Sequence, residues 1–512
     1  MTASTGTSNQ ADIIVIGGGG TGLAAAIETA TAGRSVLLLE KQPKLGGTTG
    51  RSVGSITATG TELQRKAGVK DSTEAHFEDM PLFAPNLANR DNVALRRLLV
   101  ENVGDTVGWL EKLGVVFFGP MPEPPHRTPR MHNILPSSKS YIHYLSKEAR
   151  RLGVRIVVNA RARHLTRDGR RVTGVEAEVA GRSQTFVARS AVILAAGDFS
   201  SSREFKEQYL PASISDVEGI NTASTGDGQR LGVEVGGRVI NGDIVTGPEI
   251  RFVAPPAKKL IEKVPPTRAL ASVMKGALKV VPSFILRPFF MMFVTTNLAP
   301  SHSLFREGSI LINKDGRRFA EEKNEPQFKI PAQPDRIAYI VFGQEVAKKY
   351  TGWPHFISTA PGLAYAYLDD YRKNRRDIYF EAPTLEGLAR AIGLDATVLK
   401  KTVADYNATP DGRRAPIESG PFYALGPAKS WIVIAEGGLA VDTQLRVVDE
   451  HNVPIEGLYA AGSTGQGGLL LEGHGHHLGW AFTSGRLAGR HAASLTCASN
   501  TKEELHVQSR GT

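Results

Sequence analysis

Two short runs without a polar residue stand near the start of the chain, IIVI at residues 13–16 and VLLL at residues 36–39. Unbroken apolar runs of this length predict strands covered on both faces, as in a parallel sheet. The alanine-rich stretch between them predicts a helix. Similar apolar runs at residues 191–194 and 457–461 also end in glycine, so three strands are expected to lead into glycine turns. Leu95, Leu98, Leu99, Val103, Val107 and Leu110 recur at three- and four-residue spacing, which predicts helix within residues 72–113, packed outside the sheet. Further helices are expected at residues 141–152, 385–392, 396–406 and about 479–493. Strands are expected at 155–158, 164–166, 171–177, 185–188, 338–342 and 445–448, with a hairpin at 309–319 turning on Asp315-Gly316. Residues 407–414 read as exposed, and the polar tail through Val507 as frayed.

The turn after the first strand carries chemistry. Gly17, Gly19 and Gly22, with Gly20 and Thr21 between, spell G-x-G-x-x-G. The first glycine permits the turn, the second lets a pyrophosphate approach the backbone, and the third lets helix pack on strand. Unpaired N–H groups at the helix N-terminus then face the phosphates. Glu40 closes the second strand at about the ~20-residue distance expected of the acid that binds an adenosine ribose, which favours a free 2′-hydroxyl. A glycine turn can also serve packing alone, but here strand, spacing, helix and acid agree on an adenine dinucleotide. The following loop, KQPKLGGTTGRSVGS, offers Lys41, Gly46, Gly47, Thr48, Thr49, Gly54 and Ser55 along the same ligand. Asp227, in NTASTGDGQRLG, either binds a cofactor hydroxyl or caps a helix.

Length and charge bound the rest. At 512 residues the chain exceeds one ordinary hydrophobic core, so two or more domains are expected. One cysteine, Cys497, excludes an internal disulfide and a protein-held iron–sulfur cluster. Residues 1–10 show no secretory signal, and a reducing cytoplasm is the expected setting. Of the net charge of +10, most lies between Arg251 and Arg306, where nine bases face the single acid Glu262. No nucleic-acid partner is expected. Within that window residues 280–294 form an apolar segment, interrupted by Pro282, Arg287 and Pro288 and too short to span a bilayer. They are either a core segment with a solvated basic flank or a segment resting on an anionic membrane surface. The proline-rich residues 120–136, with His126, Arg127, Arg130 and His132, are either a surface loop or one wall of a substrate cleft.

The ordered series of glycine fingerprint, GGTTG, AVILAAG, TGDGQRLG, GSILINKDGRRFAEE, TLEGLARAIGL, TVADYN, GGLAVD, RVVD, PIEGLYAAG and SGRLAGR resembles the fumarate reductase/succinate dehydrogenase flavoprotein and 3-ketosteroid dehydrogenase superfamily through nearly the whole chain. The resemblance implies an α/β fold: a doubly wound, Rossmann-like FAD-binding domain formed by residues 1–245 and 433–512, interrupted by an α+β capping domain at 246–432. It adds Ala196, Gly197, Gly462, Leu478, Ala481 and Phe482 to the expected FAD contacts. Thr48 to Val53 lack the histidine that tethers FAD in the succinate dehydrogenases, so non-covalent FAD is expected. The implied reaction moves a hydride between flavin N5 and the carbon β to a carbonyl, while a side chain handles the proton on the α carbon.

The substrate residues of the family do not carry over. Where fumarate reductases read H-G-x-N-R-L-G-G, this chain reads Gly473-His474-Gly475-His476-His477-Leu478-Gly479-Trp480, with His477 in place of the carboxylate-gripping arginine. The acid-catalyst arginine is replaced near Pro326, Gln327 and Phe328, and a further histidine by Ile434. The tyrosines of the steroid enzymes are missing as well. A dicarboxylate is therefore disfavoured. The expected substrate is a small apolar ketone, such as a 3-ketosteroid or cyclic ketone, with an unassigned electron acceptor. The alternatives are a small unsaturated acid, or a non-catalytic flavin-holding protein at a membrane surface. His474, His476 and His477 are the expected acid–base groups. Tyr365 is a weaker candidate, as are Glu436, Glu472 and Tyr367. Three histidines in four positions can also ligate zinc, but no carboxylate or cysteine completes a set, so no metal is expected.

Overall fold

The computed structural model describes residues 9–256, 264–360, 364–409 and 414–495. Residues 13–16 are at most 5% exposed, as a strand covered on both faces must be. They belong to β1 (Gln10–Ile16), which turns into α1 (Gly20–Thr31) and returns as β2 (Val36–Glu40). The long helix α2 (Val93–Leu113) follows, buried along Leu95, Leu99, Val103, Val107 and Leu110. β2 pairs in parallel with β1 on one side and with β3 (Arg155–Val158) on the other. β1 pairs in parallel with β4 (Arg182–Leu194), which also carries the antiparallel strands Ala160–Asp168 and Arg171–Val179.

Beyond β4 a second sheet forms around the long strand β5 (Phe422–Ile432). Glu249–Phe252, Ala338–Phe342 and Tyr379–Ala382 pair with it antiparallel, and Glu218–Gly219 parallel. The helices Leu385–Ile392 and Ala396–Asn407, capped by Thr384 and Asp395, cover one face through Leu388, Leu399 and Val403. On the other face a separate core gathers Met291, Val294, Ile340 and Leu425.

The chain then returns to the first sheet. β6 (Pro454–Ala460) pairs in parallel with β4, and α3 (His476–Ser494) packs on α1. That contact is backbone on backbone: a Cβ on Gly485 would lie 2.4 Å from the Thr21 carbonyl oxygen, and one on Gly489 would lie 2.4 Å from that of Ala25. Thr29 Oγ1 donates to the Gly489 carbonyl at 3.2 Å. Arg486 and Arg490 both reach Glu28 across the interface.

Several expectations change. The helical stretch at 72–113 breaks into Thr73–Asp79, 3-10 turns at Met80–Phe83 and Pro85–Arg90, and α2, because Pro81 and Pro85 interrupt the hydrogen-bond ladder. Residues 120–136 are not a surface loop, since His126, Arg130 and His132 are buried beside the strands Val116–Met121 and Met131–Leu135. Most of the apolar segment at 280–294 lies in the helix Ser283–Asn297, and Val280 ends the helix Arg268–Val280. Met291 and Val294 are in the core, while Ile285 is 56% exposed. The side chains of Phe284, Leu286, Phe289, Phe290 and Phe293 lie outside the description, as do residues 410–413 of the expected exposed stretch and the tail from residue 496. No helix among the described residues is long and apolar enough to cross a membrane.

Two glycines separate necessity from tolerance. A Cβ on Gly22 would lie 1.9 Å from the Gly17 carbonyl oxygen, whereas one on Gly276 would meet nothing within 4 Å. Gly22→Ala should destabilise the protein by about 1–3 kcal/mol or more, as overpacking against rigid backbone does. Gly276→Ala, inside the helix Arg268–Val280, should be neutral or stabilise by up to about 1 kcal/mol. Thermal denaturation of both variants checks the contrast.

Candidate active site

Residues just past the carboxyl ends of β1, β4 and β6 line one cavity of about 740 Å³. Open α/β sheets bind ligands at such a place, and the volume falls within the roughly 300–1,000 Å³ of small-molecule sites. The three turns are tied together by main-chain bonds from the Ala195 N–H to the Ile16 carbonyl and from the Ala461 N–H to the Leu194 carbonyl.

The glycine fingerprint divides its work. Gly17, at φ +112°, has the Ala195 carbonyl oxygen 2.2 Å from its missing Cβ, and Gly22 packs against Gly17. A Cβ on Gly19 would meet only the Gly46 carbonyl oxygen, at 4.0 Å, so this glycine leaves an open cradle. The first and third glycines thus serve the fold, and the second leaves room for a ligand. The Gly46 N–H donates to the Gly18 carbonyl and the Gly20 N–H to Thr49 Oγ1, which lays the 46–49 loop against the turn.

Glu40 is 8% exposed, and its two oxygens accept from the Gly18 and Gln42 N–H groups, each at 2.7 Å. Each oxygen keeps a second lone pair that a ribose hydroxyl can use. Lys41 donates to Thr225 and Asp227, and Arg161 also donates to Asp227. Asp227 lies at the start of the helix Asp227–Glu234 without capping it; Gly226 occupies the cap position. Burial pushes its carboxyl up, but Lys41 and Arg161 outweigh this and hold it below its usual value. Thr48, Ser55, Gly47, Gly54, Ala196, Gly197, Leu478 and Ala481 also line the cavity.

At the other end two histidines face the same space. Gly473 and Gly475 have φ of +93° and +94°, so the backbone reverses on either side of His474. His474 lines the cavity, and its side chain is 60% accessible. Its Nδ1 meets Glu123 Oε1 at 2.5 Å, and its main-chain N–H donates to the same oxygen at 2.8 Å. The Glu123 carboxylate holds the His474 imidazole above its usual value, while burial works against it. His477 Nε2 lies 2.8 Å from Oε1 of the fully buried Glu436, which Thr246 and Gln466 also hold. Burial lowers the His477 imidazole, but Glu436 more than compensates and raises it. Arg251 lines the same region and is paired with Glu249. Both are close enough to act on the His474 charge. Glu472 completes the set, its carboxyl raised by burial and then by Glu436.

The expected site residues therefore do not all meet. Gly22, Gly46, Gly462 and Phe482 do not line the cavity. Gly462 packs on Thr21, and Phe482 is buried against Tyr141. Tyr365 sits in the small hairpin formed by Ser358–Ala360 and Ala364–Ala366, its ring against Trp353 and Phe356, and is no part of this site. His476 is 0% exposed and points away from His474 and His477 into a separate cluster, so it cannot act with them on a substrate. The sequence reading missed Glu123, Glu249, Arg251 and Trp431. Glu123 lay in the segment considered as a cleft wall, and Arg251 in the basic window.

The chain matches the family described as FAD binding domain over residues 12–263 and 283–470. It is 27% identical to a urocanate reductase of Eggerthella lenta, over 96% of this chain and 76% of that protein. Its fold resembles the open conformation of a flavocytochrome c3 fumarate reductase, with a TM-score of 0.72 and 25% identity over 95% of this chain and 79% of that one. It also resembles 3-ketosteroid delta1-dehydrogenase from Sterolibacterium denitrificans, with a TM-score of 0.64 and 20% identity over 95% of this chain and 100% of that one, a likeness of fold alone. The superfamily resemblance carried by the ordered motifs holds, and the α/β fold class holds with it.

Asp227 tests the adenosine end. Asp227→Asn leaves Lys41 and Arg161 without their shared counter-charge and should cost about 2–3 kcal/mol at neutral pH. A lowered carboxyl stabilises above its ordinary value of 3.8 and loses that contribution as pH falls through the lower folded value. The difference between wild type and variant should therefore shrink in acid, as urea unfolding at several pH values can show.

Proposed function

On the premise that this chain belongs to the FAD binding domain family and is a flavin-dependent oxidoreductase acting on CH–CH or C=C bonds, we propose that its substrate is an alkene conjugated to a single carboxylate or ketone carbonyl. The observation that carries this reading is electrostatic. Around the histidine end of the cavity His474 pairs with Glu123, His477 with Glu436 and Arg251 with Glu249, and Glu472 is left over. Among the described residues, these three pairs leave no surplus positive charge at that end to meet a dianion. One polarisable oxygen, or one carboxylate, can be met by His477 where the fumarate reductases have arginine.

FAD, when bound, would supply hydride exchange at the β carbon of such a substrate. Gly19 and the N-terminus of α1 would cradle its pyrophosphate, Glu40 its ribose, and the 46–55 loop with Ala196 and Gly197 the remainder. The flavin is held non-covalently, with residues 1–245 and 433–512 as its domain and 246–432 as the cap. His474, oriented by Glu123 and open to the cavity, carries the α proton to or from the substrate. His477, backed by Glu436, places positive charge beside the carbonyl oxygen, where charge develops in either direction of the reaction.

An unsaturated acid with one carboxylate stands ahead of the 3-ketosteroid expected from sequence, because the sequence relative named above is a urocanate reductase. A neutral cyclic ketone is the second reading. It is favoured by the apolar lining that Phe252, Leu298, Trp431 and Ile434 provide.

Anaerobic reoxidation of the reduced flavin distinguishes the readings. Urocanate or cinnamate should oxidise it faster than fumarate does, and cyclic enones should do so if the second reading holds. Fumarate as the fastest oxidant would overturn both. His474→Asn should lower kcat by about 10²–10⁴-fold, the range of a lost general acid, whereas His477→Asn should raise KM as well. Acid precipitation should release all of the flavin into the supernatant.

A further inference from the structure

Three imidazoles meet in the protein interior, apart from the cavity. His76, on the helix Thr73–Asp79, and His476, the first residue of α3, are 0% exposed, and His126 is 7% exposed. One nitrogen from each lies within 4.8 Å of the other two. Phe83 packs edge-on against His126 and His476 and closes the cluster.

The nitrogen geometry is that of a ligand set. Nε2 of His76 and Nε2 of His476 stand 3.4 Å apart, longer than a good hydrogen bond. Two imidazole nitrogens bound at 2.0–2.1 Å to one tetrahedral ion stand about 3.3–3.4 Å apart. His476 Nδ1 lies 2.5 Å from the Glu472 carbonyl oxygen, so it carries the proton and leaves the Nε2 lone pair facing the cluster. That is the tautomer a metal-ligating histidine adopts. Nε2 of His126 and Nδ1 of His76 have no hydrogen-bond partner. Burial, and then the neighbouring imidazoles and Arg130, keep all three rings neutral, with His126 lowered to about 3 and His476 to about 4.

The surrounding charge is compatible with a cation. Arg130 lies 2.8 Å from His126 Nδ1, but it is spent on Asp71 and Asp79, and Arg127 also pairs with Asp79. Glu123 acts on both His126 and His476, and its Oε2 is buried without a partner. Asp71, Asp79, Glu78 on Arg127, and Glu123, which also holds His474, thus stand against two guanidinium groups. With Arg130 donating to Nδ1, the His126 proton sits on Nε2. Ligation through Nε2 would move it to Nδ1, 3.8 Å from Asp79 Oδ2, and Arg130 Nη1 would then have to turn its N–H from Nδ1 to Asp79 alone.

We propose that His76, His126 and His476 bind one divalent transition-metal ion of the zinc class, as a closed structural site with water or Glu123 in the fourth position. Such an ion would fix the loop that presents His474 and His477 by tying the start of α3 to the 120–131 segment and to the helix Thr73–Asp79. The proposal is independent of the flavin and substrate reading, because none of the three histidines lines the cavity.

Metal analysis of the full chain, chelator-treated and then dialysed against Zn²⁺ or Co²⁺, tests it. Wild type should retain about one ion per chain, and the Co²⁺ form should show the visible absorption of a tetrahedral ion. His76→Gln and His126→Gln should weaken Zn²⁺ binding by at least the roughly 10–100-fold that loss of even an outer-shell partner produces. His474→Gln and His477→Gln should keep the ion. Should the buried variants fail to fold, X-ray absorption of the wild-type Zn²⁺ form decides, with three nitrogen ligands expected at about 2.0–2.1 Å. Wild type that retains no ion, uptake unchanged by His76→Gln in folded protein, or a spectrum without three nitrogen ligands would each overturn the site.

Discussion

The contact between α1 and α3 is the constraint on which the active site depends. It joins the first forty residues to the last described fifty, and it is close only because Gly485 and Gly489 present no side chain to the α1 backbone. An alanine at either position would put a methyl group about as near as a covalent neighbour, and the helices would have to separate. Separation would carry away what α3 positions: Leu478 and Ala481 on the cavity wall, and the His474 to His477 segment at its N-terminus. The dinucleotide fingerprint and the proposed acid–base residues, far apart in sequence, are neighbours through that one interface. The Glu28 pair with the half-exposed Arg490 adds register to it rather than strength, whereas Arg486 and Glu28 meet largely out of solvent.

Electrostatic balance narrows what the cavity can accept. Among the described residues at the histidine end, His474, His477 and Arg251 each have a carboxylate partner, and the Glu436 pair with His477 is sealed by Thr246 and Gln466. An ion pair of this kind is costly to break and gives little net attraction to an incoming anion, because its charge is already satisfied. What it gives is orientation. An imidazole fixed by a buried carboxylate keeps one tautomer and one ring position, as acid–base work requires. The histidine at the arginine position therefore changes more than reach. It exchanges a permanent bidentate charge for a single titratable donor.

Much of the fold was legible because its signals are local. Unbroken apolar runs marked β1, β2, β4 and β6, the glycine spacing marked the turn into α1, and the three- and four-residue spacing marked α2. The adenosine end followed from the same signals, since Gly17, Gly19, Glu40 and the 46–49 loop act through backbone close to them in sequence. The substrate end was only half legible. His474 and His477 stand out as residues, but their partners Glu123 and Glu436 come from distant strands and loops, and no periodicity links them. Tyr365 and His476 were misplaced for a related reason: residue type suggests chemistry, whereas direction is set by φ angles and neighbours that the sequence does not display. The proline-rich segment misled by composition, because Glu123, His126 and His132 are buried along with Arg130, which is 0% exposed and bonded to Asp71 and Asp79, while Arg127 stays exposed.

The loop Gly473-His474-Gly475-His476-His477 shows how little chain is needed to divide one motif between two tasks. Positive φ at both glycines lets successive histidines leave the backbone on opposite sides, and a Cβ on Gly475 would lie 2.6 Å from the Thr57 nitrogen, so no other residue fits there. His474 and His477 face the cavity, while His476 is packed behind them among His76, His126 and Phe83. Glu123 stands between the two sides, with one oxygen on His474 and the other buried near the cluster. Whatever fixes the buried side therefore also fixes where His474, the proposed proton carrier, stands in the cavity. A shift of even about 1 Å there would cost on the order of a hundredfold in rate. The rigidity of the loop, more than the presence of three histidines, is thus what would suit the motif to the proposed proton transfer.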